Sequence, residues 1–404
     1  WPGGPHESRT GPEGHMNPGL AAPDARPVLV HTEELTRYSF GPDHPMGPDR
    51  VRLAMELAAH TGTLDAYDVV EPHPASDDLL RLVHSPGYLA ALADGHEHPE
   101  YGIGGEDNPV VPGLPAVASR IAAASATAAE LVWTGLARRA VNISGGLHHA
   151  MPASAHGFCL YNDAAVAIAW LLAHGARRVA YLDLDAHHGD GVELAFWNDP
   201  RVLTISVHET GIHLFPGTGH AHEIGGPDAR GTAVNVALPP HACDLQWLRA
   251  TNAVVPPLLA AFKPEVLVSQ HGTDPHGSDP LTHLDVSIDA MAVAQRQVAG
   301  WADRHCQGRW VAVGGGGYRR DAAARGWTHL LAEVAGQPLD PSMPTPKDWT
   351  ERLRDGGSAT LGDEGATISA HALASDRIYP DEADPALVST SRAVFPWWGL
   401  QPYH

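Results

Sequence analysis

The stretch whose reading decides the fold is Val179-Ala180-Tyr181-Leu182-Asp183-Leu184-Asp185-Ala186-His187-His188-Gly189-Asp190-Gly191. Its first half, Val179 to Leu184, is a short apolar, partly β-branched run of the length that a buried strand needs. Its second half is an abrupt cluster of Asp, His and Gly, and in open α/β sheets ligand sites form just beyond the carboxyl ends of the strands. The same grammar recurs outward along the chain. Val28 to His31, Ala140 to Ile143, Val202 to Val207, Val266 to Ser269 and Trp310 to Val313 are further strand candidates. Between them, Ala- and Leu-rich segments of helical period occupy residues 49–61, 115–137, 161–174, 244–262, 287–304 and 321–335. Strands alternating with helices predict an α/β domain around a parallel sheet.

The polar clusters at the strand ends are predicted to converge. Ile143 runs into Ser144-Gly145-Gly146-Leu147-His148-His149, Ser269 into Gln270-His271-Gly272-Thr273-Asp274, and Val313 into Gly314-Gly315-Gly316-Gly317-Tyr318. Asp185 and His187 lie two residues apart at a strand end, so both side chains point the same way and can share one ion. Asp274, from a later strand, would complete a set of two carboxylates and one imidazole, with positions left open for water and substrate. A single Asp or His at such a place is more often a helix cap or a loop hydrogen bond; the combination is what points to a metal. A divalent ion here would polarise an amide carbonyl and acidify water. His148 and His149 are candidate proton carriers, and Asp183 and Asp190 are placed to accept an imidazole N–H and fix its tautomer. With 27 histidines in the chain, a His pair alone would mean little; the flanking glycines and aspartates give it weight. Gly314 to Gly317 is no phosphate loop, because no Gly-Lys-Ser/Thr follows. The alternative is a mobile loop that lets Tyr318 swing its hydroxyl toward a developing oxyanion.

Composition narrows the classes. A chain of 404 residues with 43% hydrophobic and 18% charged residues buries a large core. The net charge of −21, from 47 acidic against 26 basic residues, argues against a nucleic-acid partner and suits a cationic or lysine-bearing substrate. Cys159, Cys243 and Cys306 form no Cys-x-x-Cys pair, so neither a disulfide framework nor a thiolate zinc cluster is expected. No apolar run reaches membrane-spanning length and Trp1 to Met16 has no secretory pattern, so a cytoplasmic protein with no membrane partner is expected. Residues 1–26 read as a flexible tail without function, 27–340 as the catalytic domain, and 341–404 as an extension wrapped on it.

Taken in order, the motifs resemble the histone-deacetylase superfamily and, within it, the bacterial acetoin-utilisation (AcuC-type) deacetylases. The matching pieces are His44-Pro45-Met46, Gly105-Glu106-Asp107, Gly145 to Ala150, Gly157 to Asp163, Asp183 to Gly191, His208-Glu209-Thr210-Gly211, Phe215 to Gly219, Thr273-Asp274 and Gly314 to Tyr318. His208 to Gly211 before Phe215 to Gly219 is what points to the acetoin-utilisation branch. The resemblance implies a three-layer α/β/α fold of the arginase and deacetylase type. It implies Asp185, His187 and Asp274 as metal ligands, zinc being favoured and iron(II) also suited to this donor set. His149 would be general base and then acid, His148 its electrostatic partner, and Tyr318 the oxyanion donor. Gly157, Phe158 and Phe215 would wall a narrow tunnel for the acetyl-lysine stem, with Leu281 near its bottom or rim. Asp107 would hold the substrate backbone at the rim, and Arg50 would line an inner cavity for departing acetate. Structural potassium is implied at Asp183, Asp185, His187, Ser206 and Val207, with a second monovalent site near Phe196, Asp199 and Val202.

The substrate implied is acetyl-lysine on a protein, such as acetyl-CoA synthetase. Acetylated polyamines or other small amides are the first alternative. A binuclear manganese ureohydrolase is a second, since Asp185-Ala186-His187 resembles that family too, but Gly272 stands where its additional Asp belongs. A non-catalytic acyl-lysine reader is a third and predicts a missing ligand or proton carrier; none is missing. Ser144, His156 and His271 depart from residues common in the deacetylase family.

Overall fold

The computed structural model describes residues 19–22, 25–42, 44–353, 356–363 and 384–404. Eight parallel strands form one sheet: β1 (Val28–Val30), β2 (Asp68–Val70), β3 (Arg139–Asn142), β4 (Val179–Asp183), β5 (Val202–Glu209), β6 (Ala233–Leu238), β7 (Val266–Gln270) and β8 (Trp310–Val313), in the order β2-β1-β3-β8-β7-β4-β5-β6. Side chains alternate along each strand, and both faces are apolar. Leu29, Ala180, Leu182 and Leu267 enter one core, while Val28, Val30, Val179, Tyr181, Val266 and Val268 enter the other. Helices Asp49–His60, Asp244–Phe262, Ile288–His305 and Arg320–Val334 cover the first core, and Pro86–Asp94, Leu114–Trp133 and Asp163–Ala173 cover the second. The result is the expected α/β/α layering.

The six strands expected from the sequence are all present, with ends shifted by a residue or two. Two further strands escaped it. Strand β2 is three residues at the sheet edge, largely exposed, and has no alternation to read. Strand β6, between Gly231 and Pro239, is diluted by Ala233, Asn235 and Ala237, which have weak strand preference. The expected tail lies mostly outside the described residues, yet its described end is anchored: Gly19 N donates to Trp133 O at 2.9 Å, and Arg26 pairs with Asp68 at 2.9 Å.

Beyond residue 340, Trp349, Leu361, Leu387, Val394 and Phe395 enter the first core. Helix Pro385–Val394 sits on β6, where Thr390 Oγ1 donates to Asn235 O at 2.6 Å, and Trp398 Nε1 donates to Gly231 O at 2.7 Å. Among the described residues no helix is long and apolar enough to cross a membrane. The described cysteines are all free.

Candidate active site

Strand order explains why the polar clusters meet. Strands β3, β8, β7 and β4 are consecutive in the sheet centre, and each of the four clusters leaves the carboxyl end of one of them. At that end Asp185, His187 and Asp274 are buried, with one donor atom of each within 4.8 Å of the others. His187 Nδ1 lies 2.9 Å from Asp274 Oδ2 and 3.2 Å from Asp185 Oδ1. Burial, and then the charge on Asp185, push the Asp274 carboxyl upward. Burial opposes a charged His187, but its bonds to Asp185 and Asp274 raise it well above the ordinary histidine value. Two buried carboxylates facing one imidazole nitrogen are a set that a cation would balance.

The His pair is oriented from behind. His148 Nδ1 donates to Asp183 Oδ2 at 2.8 Å and His149 Nδ1 to Asp190 Oδ1 at 2.7 Å, while the two Nε2 atoms lie 3.1 Å apart. Although burial works against its charge, Asp183 and Asp185 bring His148 up to about 9. Burial and then the positive His148 take His149 down to about 3. One ring is thus charged and its neighbour neutral near pH 7. Sequence reading missed what supports the pair: Asp163 accepts from Gly146 N at 3.0 Å and Leu147 N at 2.7 Å, and Asn162 Nδ2 donates to the carbonyls of His148 and Ala150, each at 3.0 Å. Both residues lie in the Gly157 to Asp163 motif, which gave the only available signal. Tyr181 was missed as well; its hydroxyl donates to Asp183 at 2.7 Å.

Close packing requires the glycine run before Tyr318. Gly316 N donates to Asp185 Oδ2 at 2.6 Å, Gly316 O accepts from Thr273 N at 2.9 Å, and a Cβ at Gly316 would overlap the Asp274 carboxylate. Tyr318 N is held by Asp279 at 2.7 Å, which fixes where the side chain begins.

A cavity of about 220 Å³ is lined by Asp107, His149, Gly157, Phe158, His187, Leu214, Phe215, Leu281 and Tyr318. The residues expected at the tunnel and its rim are all there, with Asp107 exposed and Leu214 an addition the sequence did not single out. At Gly157 (φ +50°) a Cβ would strike both the His149 ring and Phe215. Phe158 takes the left-handed conformation (φ +66°) although it is not glycine, and Tyr38 donates to its carbonyl at 2.8 Å. Arg50 lies behind Tyr318, its guanidinium 5.5 Å from that ring and 5.0 Å from the Trp327 ring, and donates to Gly315 O at 2.7 Å. The void it lines with Tyr38, Met46 and Leu147 is about 20 Å³, room for roughly one water.

The residues expected to hold potassium fall into two places. Asp183 is paired in register with Ser206 on β5, next to Val207, so this stretch and Asp185 and His187 share one strand end. Phe196, Asp199 and Val202 share a single turn, in which Asp199 N donates to Phe196 O at 2.9 Å and the Asp199 carboxylate grips Arg201 at 2.6 Å. Of the unusual residues, His271 is buried beside Ser269 at 2.8 Å and belongs to the core. His156 stands 3.2 Å from Asp190 and was not anticipated as a partner for it.

Comparison with known proteins agrees with this geometry. Residues 44–334 match the histone deacetylase domain model. The chain is 38% identical over 330 residues to the acetoin utilization protein AcuC of Bacillus subtilis (strain 168), covering 80% of this chain and 85% of that one. It is 35% identical over 341 residues to AcuC of Staphylococcus xylosus, covering 82% and 88%. A crystal structure of an HDAC homologue from Aquifex aeolicus superposes with a TM-score of 0.74 at 30% identity, over 84% of this chain and 95% of that one. The family model, the identity to these relatives and the shared fold together show that the chain belongs to the histone deacetylase family, as an amide-hydrolysing deacetylase of the AcuC type.

Proposed function

We propose that this chain removes acetyl groups from lysine side chains of proteins, releasing lysine and acetate, with one divalent metal held by Asp185, His187 and Asp274. The observation that carries this reading is the buried carboxylate–imidazole–carboxylate set opening, through His187, into a cavity walled by Phe158 and Phe215. Aromatic faces suit an aliphatic stem whose charged backbone stays outside near Asp107. The donor set fits zinc or iron(II), zinc being favoured. When bound, the metal supplies Lewis acidity to the amide carbonyl and acidifies water beside it.

The chain's own groups do the rest. Neutral His149 takes a proton from the attacking water through Nε2, steadied by Asp190 on Nδ1. Charged His148 offsets the negative charge that builds up nearby. The Tyr318 hydroxyl, on the cavity wall, donates to the carbonyl oxygen as it becomes an oxyanion. His149 then returns its proton to the departing lysine amine. Asp183, Asp185, His187, Ser206 and Val207 would supply oxygens for a potassium ion, and the turn at Phe196, Asp199 and Val202 would offer a second such place.

A binuclear ureohydrolase is disfavoured because a side chain at Gly272 would collide with the Asp185 carboxylate, leaving no room for a further ligand. The naming of the relatives for acetoin utilisation supports a metabolic enzyme such as acetyl-CoA synthetase as the acylated partner. Turnover of an acetyl-lysine peptide against acetylputrescine tests the substrate class. Faster hydrolysis of the peptide is expected; a clear preference for the small amine would replace the protein substrate with a polyamine.

A further inference from the structure

We propose that His149, His156 and Asp190 form a second transition-metal site, beside the catalytic cavity, at which a zinc ion inhibits the enzyme. One donor atom from each lies within 4.8 Å of the others, and the group shares no residue with Asp185, His187 and Asp274. Asp190 spans the two rings: Oδ1 is 2.7 Å from His149 Nδ1 and Oδ2 is 3.2 Å from His156 Nδ1. Two imidazoles and a carboxylate are a zinc donor set, and zinc at bonding distance separates its ligand atoms by about 3.3 Å, close to the His156–Asp190 spacing.

His156 supplies the distinguishing detail. Its Nδ1 is buried and makes no well-aligned hydrogen bond, so this nitrogen stands 3.2 Å from Asp190 Oδ2 without being committed to a partner. The rest of the side chain is 36% exposed and gives the ion a route from solvent. The ring rests 4.7 Å from that of Phe215, which limits its movement.

The consequence for catalysis rests on the reading of His149 as general base. A neutral imidazole carries one N–H, and the contact with Asp190 places it on Nδ1, so the lone pair that accepts a proton is on Nε2, 3.1 Å from His148 Nε2. Zinc on Nδ1 forms its bond with that nitrogen's lone pair, and the single N–H moves to Nε2. The atom that must accept a proton from water is then already protonated, and hydrolysis stops.

The test uses full-length protein stripped of metal, reloaded with one equivalent of Zn2+, and dialysed against rising free Zn2+. Bound zinc is read by elemental analysis and deacetylation is read in parallel. The wild type is expected to take up a second equivalent, with activity falling in step. His156→Ser should keep the first equivalent, which reports an intact fold. Its second equivalent should bind more weakly by roughly tenfold or more, the range that even an outer partner of a bound metal contributes, and its inhibition should shift equally. A wild type that stops at one zinc, or a His156→Ser protein that binds and is inhibited like the wild type, overturns the proposal. Metal uptake is measured without substrate, so a chain that hydrolyses no acetyl amide would refute the deacetylase reading while still reporting on this site.

Discussion

Tyr318 and Gly316, two residues apart, divide the work of one loop. Tyr318 faces the cavity, and Tyr318→Phe removes only the hydroxyl, so kcat should fall by about 10²–10³-fold while KM changes little. Steady-state kinetics on an acetyl-lysine peptide reads this, and unchanged kcat would exclude Tyr318 from the reaction. Gly316 touches the carboxylates themselves, so Gly316→Ala should weaken metal retention after dialysis, since its methyl group would displace Asp274. Retention equal to wild type would show that the loop yields at no cost. The side chains that meet at this point were legible in the sequence because each cluster of them follows the end of its own strand. Asp163, Asn162 and His156 were not, because their partners depend on how the loop after His149 folds back, and no periodicity encodes that.

Among the elements, helix Arg320–Val334 links the sheet to the C-terminal extension. Arg325, 2% exposed, donates to Asp363 at 2.7 Å, to Gly362 O at 2.9 Å and to Asp321 at 3.1 Å. Arg325→Ala removes the buried cation that Asp321 and Asp363 share and should cost about 3–5 kcal/mol in chemical denaturation; a loss under 1 kcal/mol would mean that the extension is held by its apolar contacts alone. Burial works to raise the Asp363 carboxyl, but His276 and Arg325 hold it below the usual range. Its contribution is therefore complete above the unfolded carboxylate pKa and disappears as pH falls through the folded value. Central strands were readable because burial on both faces demands continuous apolar runs. Edge strand β2 and the extension lack such runs, and their places are set by tertiary contacts such as those of Trp349 and Trp398.

Across the whole molecule, several histidines are stored neutral in the interior. Burial takes His84 and His329 down to about 4 and His271 to about 3, from 6.5. Unfolding exposes rings that bind protons below 6.5, so stability from these sites is complete above that pH and is lost as pH falls toward 4. At pH 5 each should have lost about 2 kcal/mol relative to neutral pH, visible as a falling denaturant midpoint between pH 7 and pH 5. An unchanged midpoint would mean that the rings are not held neutral. The layered fold itself follows from an apolar sheet faced by helices on both sides, and that was written in the alternation of runs. The centre of the account is a single ion serving amide hydrolysis, and the most direct measurement is metal add-back to chelated protein with an acetyl-lysine peptide as substrate. The wild type should be inactive when stripped and fully restored by one equivalent of divalent metal per chain, with Asp274→Asn failing to recover. Full turnover in the stripped protein, or recovery only at two equivalents, would contradict it.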